Sequence, residues 1–346
     1  MVYGLWSKDY RPQNIAVALY HGLWTMDHGL YLPRKKRTVN TQAQKINLVG
    51  FLITIAGAIF FSTKAIFVKL AFQETKVDAL TLLSLRMLFS LPFYVGAVWF
   101  ASRKENSSSI TKRQWLLIML MGIFGYYLSS LFDFIGLQYV SAGLERLILF
   151  LYPTFAVLIN TFYFKTALSK RQIIALILTY IGIGTAYWGE IHAAHYGPQF
   201  YYGSFMIFLC AVTYSFYLVG TGRLVKAVGA TRYTAYAMLT ATAGIFIHYL
   251  IQKPIPSFTL DATLTSYGIA LAIVATVLPS FMMSVGMKKI GSNNVAIITS
   301  IGPVSTILQA HFFLGETIIR EQIIGTILVI IGVILIGWQS RDIDGK

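Results

Sequence analysis

Five charged side chains fall inside long apolar runs of the first half of the chain: Lys64, Arg86, Asp133, Glu145 and Arg146. Ionised groups at membrane depth are costly, so they face one another or a polar cavity. The set sums to +1, three cations less two carboxylates. Lys64, Arg86 and Arg146 could hold a carboxylate or other anionic group. Asp133 or Glu145 could carry a proton, because burial disfavours the charged form of a carboxyl. A simpler reading is that the five ions neutralise one another and tie four helices together. The two overlap, since a network that can break is also a gate.

The elements that must position these residues are apolar runs near 47–71, 79–101, 115–137, 143–164, 172–189, 200–221, 233–252, 264–287, 294–314 and 321–339. Each is long enough for a membrane helix, at roughly 20 residues per span. The runs are continuously apolar rather than alternating, which argues against strands. The fold class expected is therefore an all-α integral membrane protein of ten transmembrane helices, multi-pass, in the plasma (inner) membrane if bacterial. Lys and Arg crowd the loops after spans two, four, six and eight: Arg103, Lys112, Arg113, Lys165, Arg171, Arg232 and Lys288 among them. By the positive-inside rule both termini are then cytoplasmic. At 1.5 Å per residue, Lys64 lies about 10 Å short of the outer end of span one and Arg86 about 10 Å past the start of span two. Asp133, Glu145 and Arg146 lie near the outer ends of spans three and four. All five belong to the outer half of the bilayer.

The chain is also doubled. A shift of 150 positions puts Gly136 on Gly286, Pro153 on Pro303, Gln172 on Gln322, Gly182 on Gly332 and Trp188 on Trp338 without a gap. The expected units are a tail at 1–45, a five-helix repeat at 46–190 and a second at 198–340. Five is odd, so the second copy must be inverted, and loop charge reverses as required: Gln138 and Tyr139 match Lys288 and Lys289. Inverted repeats place a substrate site near the midplane between them. The counterparts of the five ions are Tyr217, Leu239, Met283, Val295 and Ala296, none of them charged. The expected outer gate is ionic and the inner one apolar and aromatic.

Other residues carry weaker signals. Pro153 and Pro303, read as lying mid-span, are expected to remove a backbone hydrogen bond and kink pocket-lining helices. Tyr152, Tyr214, Ser215 and Tyr217 could supply polar contacts, or simply pack. Glu316 sits at the outer mouth, a candidate for coupling; Lys69 should snorkel to the interface. His248 and His311 read as packing residues near helix ends. Glu190, His192 and His195 form a loose cluster without the helical spacing of a zinc site, so no metal or cofactor is called for. Ala175, Gly182 and Gly189 on span five, with Gly325 and Gly332 on span ten, make small-residue faces. These should pack the two spans together or form a homodimer surface.

Composition agrees: 56% of the 346 residues are hydrophobic and 12% charged, about half the charge of a soluble domain. The net charge of +15 is explained by basic loops, and nucleic acid is not the expected partner. The lone cysteine, Cys210, excludes an internal disulfide. Residues 1–45 read as a disordered or interfacial tail, with a basic cluster at Arg34–Arg37 before the first span.

The stretches F-S-T-K-A-I-F-V-K-L at 61–70, V-D-A-L-T-L-L-S-L-R at 77–86, G-L-Q-Y-V-S-A-G-L-E-R-L-I-L-F-L-Y-P at 136–153 and L-G-E at 314–316 resemble the EamA family of the drug/metabolite transporter superfamily. The resemblance implies a secondary transporter, not an enzyme, moving small metabolites, often amino-acid-like, frequently outward and powered by an ion gradient. Lys165-Thr166 stands where the second repeat has Gly315-Glu316, so the Gly-Glu element occurs once. Contrasting readings are an uncoupled channel or lipid scramblase, and a membrane-embedded enzyme acting on lipid-linked substrates.

Overall fold

The computed structural model describes residues 48–103, 110–164, 170–193, 197–253, 261–290, 295, 298–299 and 301–344. The expected tail at 1–45, Arg34–Arg37, Lys165, His195 and Ala296 lie outside the described residues. The helices are α1 Leu48–Thr75, α2 Ala79–Ser102, α3 Lys112–Leu137, α4 Ala142–Leu149, α5 Tyr152–Phe164, α6 Lys170–Ala193, α7 Gln199–Val228 and α8 Ala230–Gln252. Then follow α9, which runs from Ala262 through Ile290, α10 Gly302–Leu314 and α11 Arg320–Asp344. Among the described residues eight segments are long and apolar enough to cross a membrane, the fourth running through α4 into α5.

Side chains mark the helix starts. Asp78 caps α2 by accepting from Thr81 N–H, Thr111 and Gln114 form a capping box at α3, Ser141 caps α4 and Asp261 caps α9. Inside the spans, hydroxyls return to their own helix. Ser62 donates to Ala58 O, Ser84 to Leu80 O and Ser90 to Arg86 O, as a medium without water demands.

Two irregularities recur at the 150-residue shift. A π-helical turn interrupts α3 at Ile123–Leu128 and α9 at Ile273–Val277. A break at Phe150–Leu151 separates α4 from α5, and a turn at Ile301 precedes α10. This corrects the expected proline kinks. Pro153 is the second residue of α5 and Pro303 the second of α10. In a first helical turn the missing N–H costs nothing and the fixed φ favours the helix. The prolines restart helices after a break rather than bend one.

Packing exchanges partners between the halves. α6 lies along α11 and α2 along α8; α1 packs on α9 and α10, and α7 on α3 and α5. The small-residue faces of α6 and α11 cover each other within the chain. A Cβ added to Gly182 would lie 2.6 Å from Gly325 O, and one added to Gly332 2.8 Å from Ala175 O.

The halves are also tied at a helix end. Lys253, which ends α8, pairs with Asp78 and donates to Thr81 Oγ1 at 3.0 Å. Burial alone would raise the Asp78 carboxyl, but the hydrogen bonds from Lys253 and Thr81 outweigh it and hold the group below its ordinary 3.8. A folded carboxyl held low adds stability above its unfolded value and loses it as pH falls through the folded one. Asp78→Ala should cost about 1–2 kcal/mol, the sum of a lost cap and a solvent-screened pair. The check is the thermal unfolding midpoint in detergent, with the deficit shrinking as pH is lowered to about 3.

Candidate functional site

The ions divide into a bonded trio and two arginines. Lys64 of α1 lies 2.6 Å from Asp133 Oδ2 of α3 and 3.3 Å from Glu145 Oε1 of α4. Glu145 is 0% exposed, Asp133 2% and Lys64 8%. Ser141 Oγ accepts from Leu144 N–H to start α4, which puts Glu145 in the first turn, where a carboxylate meets the positive helix end. The trio is not saturated: Asp133 Oδ1 and Glu145 Oε2 have no hydrogen-bond partner among the described residues.

Arg86 and Arg146 stand outside this bonding. Arg86 Nη2 donates to Ser130 Oγ at 2.8 Å, and its guanidinium carbon lies 4.9 Å from the Phe134 ring centre. Arg146 lies over Phe150 at 5.2 Å and Phe61 at 6.0 Å. Neither pairs with a carboxylate among the described residues, and each keeps an unpartnered buried Nε. Guanidinium planes stack well on rings, which helps them stay buried without a bonded counterion, with Asp133 and Glu145 acting on them at a distance. The single five-ion network expected from sequence is thus one trio flanked by two unpaired cations.

A tyrosine cluster joins them. Tyr152 meets Tyr214 at 5.2 Å between ring centres, Tyr214 meets Tyr217 at 5.5 Å, and Tyr217 stacks near Tyr233 at 6.1 Å. Tyr217 and Tyr126 share a 2.7 Å hydroxyl hydrogen bond, and Tyr233 bonds Thr221 Oγ1 at 2.8 Å. The close fit needs glycine: a Cβ on Gly125, inside the α3 π-turn, would run into the Tyr217 ring. Sequence reasoning found Tyr152, Tyr214 and Tyr217 but missed Tyr126 and Tyr233. The available signal for Tyr126 was its place beside Gly125 in an apolar run. Ser215 is elsewhere: its hydroxyl donates to Val212 O at 2.6 Å, and it borders an apolar groove of about 450 Å³ with Phe155, Leu158, Phe162 and Phe216. Of the uncharged counterparts, Tyr217 enters the cluster, while Leu239, Met283 and Val295 join apolar packing.

Glu316, between α10 and α11, reaches across to the first repeat. It accepts from Ala142 N–H at 2.9 Å and Gly143 N–H at 3.4 Å, capping the helix that carries Glu145 and Arg146. Lys69 lies within electrostatic reach of Glu316 and of buried Glu190. His192 instead is exposed and bonds Trp188 O at 2.8 Å. His311 bonds Glu316 O at 2.9 Å, and His248 bonds Tyr127 OH at 2.9 Å. Burial lifts the Glu316 carboxyl above its ordinary 4.5, against the pull of the Ala142 amide, Lys69 and the Gly143 amide. A folded carboxyl lifted this way favours folding at low pH, and that contribution fades as pH rises through the folded value. Unfolding midpoints measured from about pH 4.5 upward should decline in the unaltered protein, and Glu316→Gln should flatten the decline. Glu316→Ala should cost about 1–2 kcal/mol through the lost cap.

Residues 48–188 and 201–338 match the EamA-like transporter family. The chain belongs to that family. An uncharacterized transporter of Bacillus subtilis (strain 168), YcbK, is 31% identical over 284 residues, covering 80% of this chain and 88% of its own. A second from that organism, YyaM, is 26% identical over 72% of this chain and 78% of its own. The uncharacterized transporter sll1319 of Synechocystis is 23% identical, covering 85% of this chain and 95% of its own. A solved crystal structure superimposes with a TM-score of 0.58 at 19% identity, over 85% of this chain and 98% of the other; it supports the fold alone. This EamA-like chain is an integral, multi-pass membrane protein of a transporter family.

Proposed function

We propose that this EamA-like protein is a secondary active transporter. It moves small polar metabolites, anionic or zwitterionic, by alternating access, outward and at the expense of an ion gradient. Its ten spans form two inverted repeats with both termini in the cytoplasm. The partner exchange between halves and the irregularities repeated 150 residues apart support that symmetry.

The observation that carries the reading is the buried trio beside two unpaired arginines. Lys64 clamps α1 to α3 and α4 through two carboxylates, the outer closure. The tyrosine contact of Tyr217 on α7 with Tyr126 on α3 and Tyr233 on α8 is the inner closure. A proton delivered to Asp133 or Glu145 removes half of Lys64's pairing and loosens the clamp. An anionic substrate compensates the positive charge that the two carboxylates do not.

Purified protein in liposomes under an imposed pH gradient tests this. Uphill movement of a carboxylate metabolite that collapses with the gradient is expected. Downhill flux alone would indicate a channel or scramblase, and chemical conversion an enzyme. A fluorescent reporter fused to the C-terminus should light the cytoplasmic side.

A further inference from the structure

We propose that the anionic group of the transported molecule binds at the Nε edge of the Arg146 guanidinium, where it packs beside the N-terminus of α10, and not at Lys64 or Arg86. The identity of the occupant as cargo rests on the transport reading above.

Three observations converge on this spot. Lys64 is already engaged by two carboxylates, and Arg86 donates to Ser130. Arg146 is 7% exposed, has an unpartnered Nε and is bonded to no carboxylate among the described residues, which give it ring faces and the more distant charge of Glu145. Second, α10 starts without a side-chain cap at Ile301. The Gly302 and Val304 amides and the aligned peptide dipoles make this end partly positive, although Pro303 supplies no N–H. Third, the two positive features touch. A Cβ added to Gly302 would lie 3.1 Å from Arg146 Nε and 3.2 Å from its guanidinium carbon. Ser62 Oγ, whose single proton goes to Ala58 O at 2.9 Å, also touches the Gly302 carbonyl at 3.3 Å.

A buried cation against a positive helix end is repulsive, and Glu145, within electrostatic reach of Arg146 but bonded to Lys64, offsets only part of that charge. An anion seated beside both turns the repulsion into two attractions, the way half-helix N-termini serve anions in transporters. Thr306, four residues after Gly302 and so on the same face of α10, is fully buried, and its hydroxyl has no partner among the described residues. It can donate a further hydrogen bond. The surroundings set the rest of the ligand: Phe150 and Tyr152 lie 5.7 Å apart between ring centres, next to Arg146, and Tyr152 continues to Tyr214. The site suits a compact carboxylate on a flat or apolar body.

The test uses full-length protein in detergent, with sodium benzoate as probe. Benzyl alcohol serves as the uncharged control and sodium chloride matches ionic strength. Benzoate should raise the unfolding midpoint saturably, and benzyl alcohol should not. Arg146→Gln should weaken benzoate about 10-fold or more, the scale of a lost charge-assisted hydrogen bond. Gly302→Ala, which keeps the charge but pushes the guanidinium aside, should weaken it too, and Arg86→Gln should leave it within a few-fold. Size-exclusion profiles establish that the variants fold. Loss in Arg86→Gln with retention in Arg146→Gln would overturn the assignment, as would no saturable effect on the unaltered protein. Liposome flux separates the two readings. Gradient-driven transport that survives in Arg146→Gln defeats this site and spares the transporter; benzoate held by Arg146 without any flux does the reverse.

Discussion

Lys64→Met should be the most damaging single substitution in the ion cluster, costing about 3–5 kcal/mol. It strands Asp133 and Glu145, which are 2% and 0% exposed, without a cation bonded to either. The cost comes from leaving buried charge uncompensated, since a buried pair itself contributes little net stability. Two companions make the argument testable. Glu145→Gln or Asp133→Asn alone leaves a one-to-one pair with Lys64, and each should cost far less than Lys64→Met. The triple variant Lys64→Met, Asp133→Asn, Glu145→Gln carries no ions at these positions and should recover most of the loss. Thermal unfolding in detergent ranks the four. Transport then separates a clamp from a mere tie: the triple variant should fold yet lose gradient-driven transport. If it transports as well as the unaltered protein, the trio serves only to hold helices together.

The helices and the buried ions were legible because lipid removes ambiguity: a long apolar run has one stable backbone arrangement, and a charge inside it must be accommodated. Even the helix breaks were half visible. Pro153 and Pro303 flagged the right places, but proline alone does not say whether a helix bends or restarts. Phe150 and Leu151, ordinary apolar residues, gave no sign of the break before Pro153. The π-turns at Ile123–Leu128 and Ile273–Val277 were invisible for the same reason. Which cation meets which carboxylate was also beyond reach. It depends on helix rotation, and depth alone made Lys64, Arg86 and Arg146 equivalent. Glu316 read as a coupling candidate because its place at the outer mouth and a solitary Gly-Glu element were all that could be seen. Its hold on the Ala142 and Gly143 amides spans 174 and 173 residues of chain and required the fold.

Gly182→Leu should cost about 3 kcal/mol or more, at or beyond the upper end of overpacking. Helices in lipid gain nothing by hiding apolar surface from each other, so they associate by close fit and small residues permit it. At Gly182 the fit has no slack: an added Cβ would stand 2.6 Å from Gly325 O and 2.9 Å from Leu328 Cβ. Backbone cannot step aside as a flexible side chain can, so α6 and α11 must separate along their length. Gly184, two residues on, supplies the control, because an added Cβ there meets nothing within 4 Å. Gly184→Leu should be neutral or slightly stabilising, as leucine favours a helix over glycine by several tenths of a kcal/mol to about 1 kcal/mol. The pair of unfolding midpoints therefore reads helix apposition and not general intolerance of bulk. It also bears on self-association. With the small-residue faces spent on each other, a second copy that docks on α6 must use its opposite side, where Ile177, Ile181 and Gly184 are exposed. A contact of that kind would make Gly184→Leu change the particle size in detergent, while Gly182→Leu would change the unfolding midpoint.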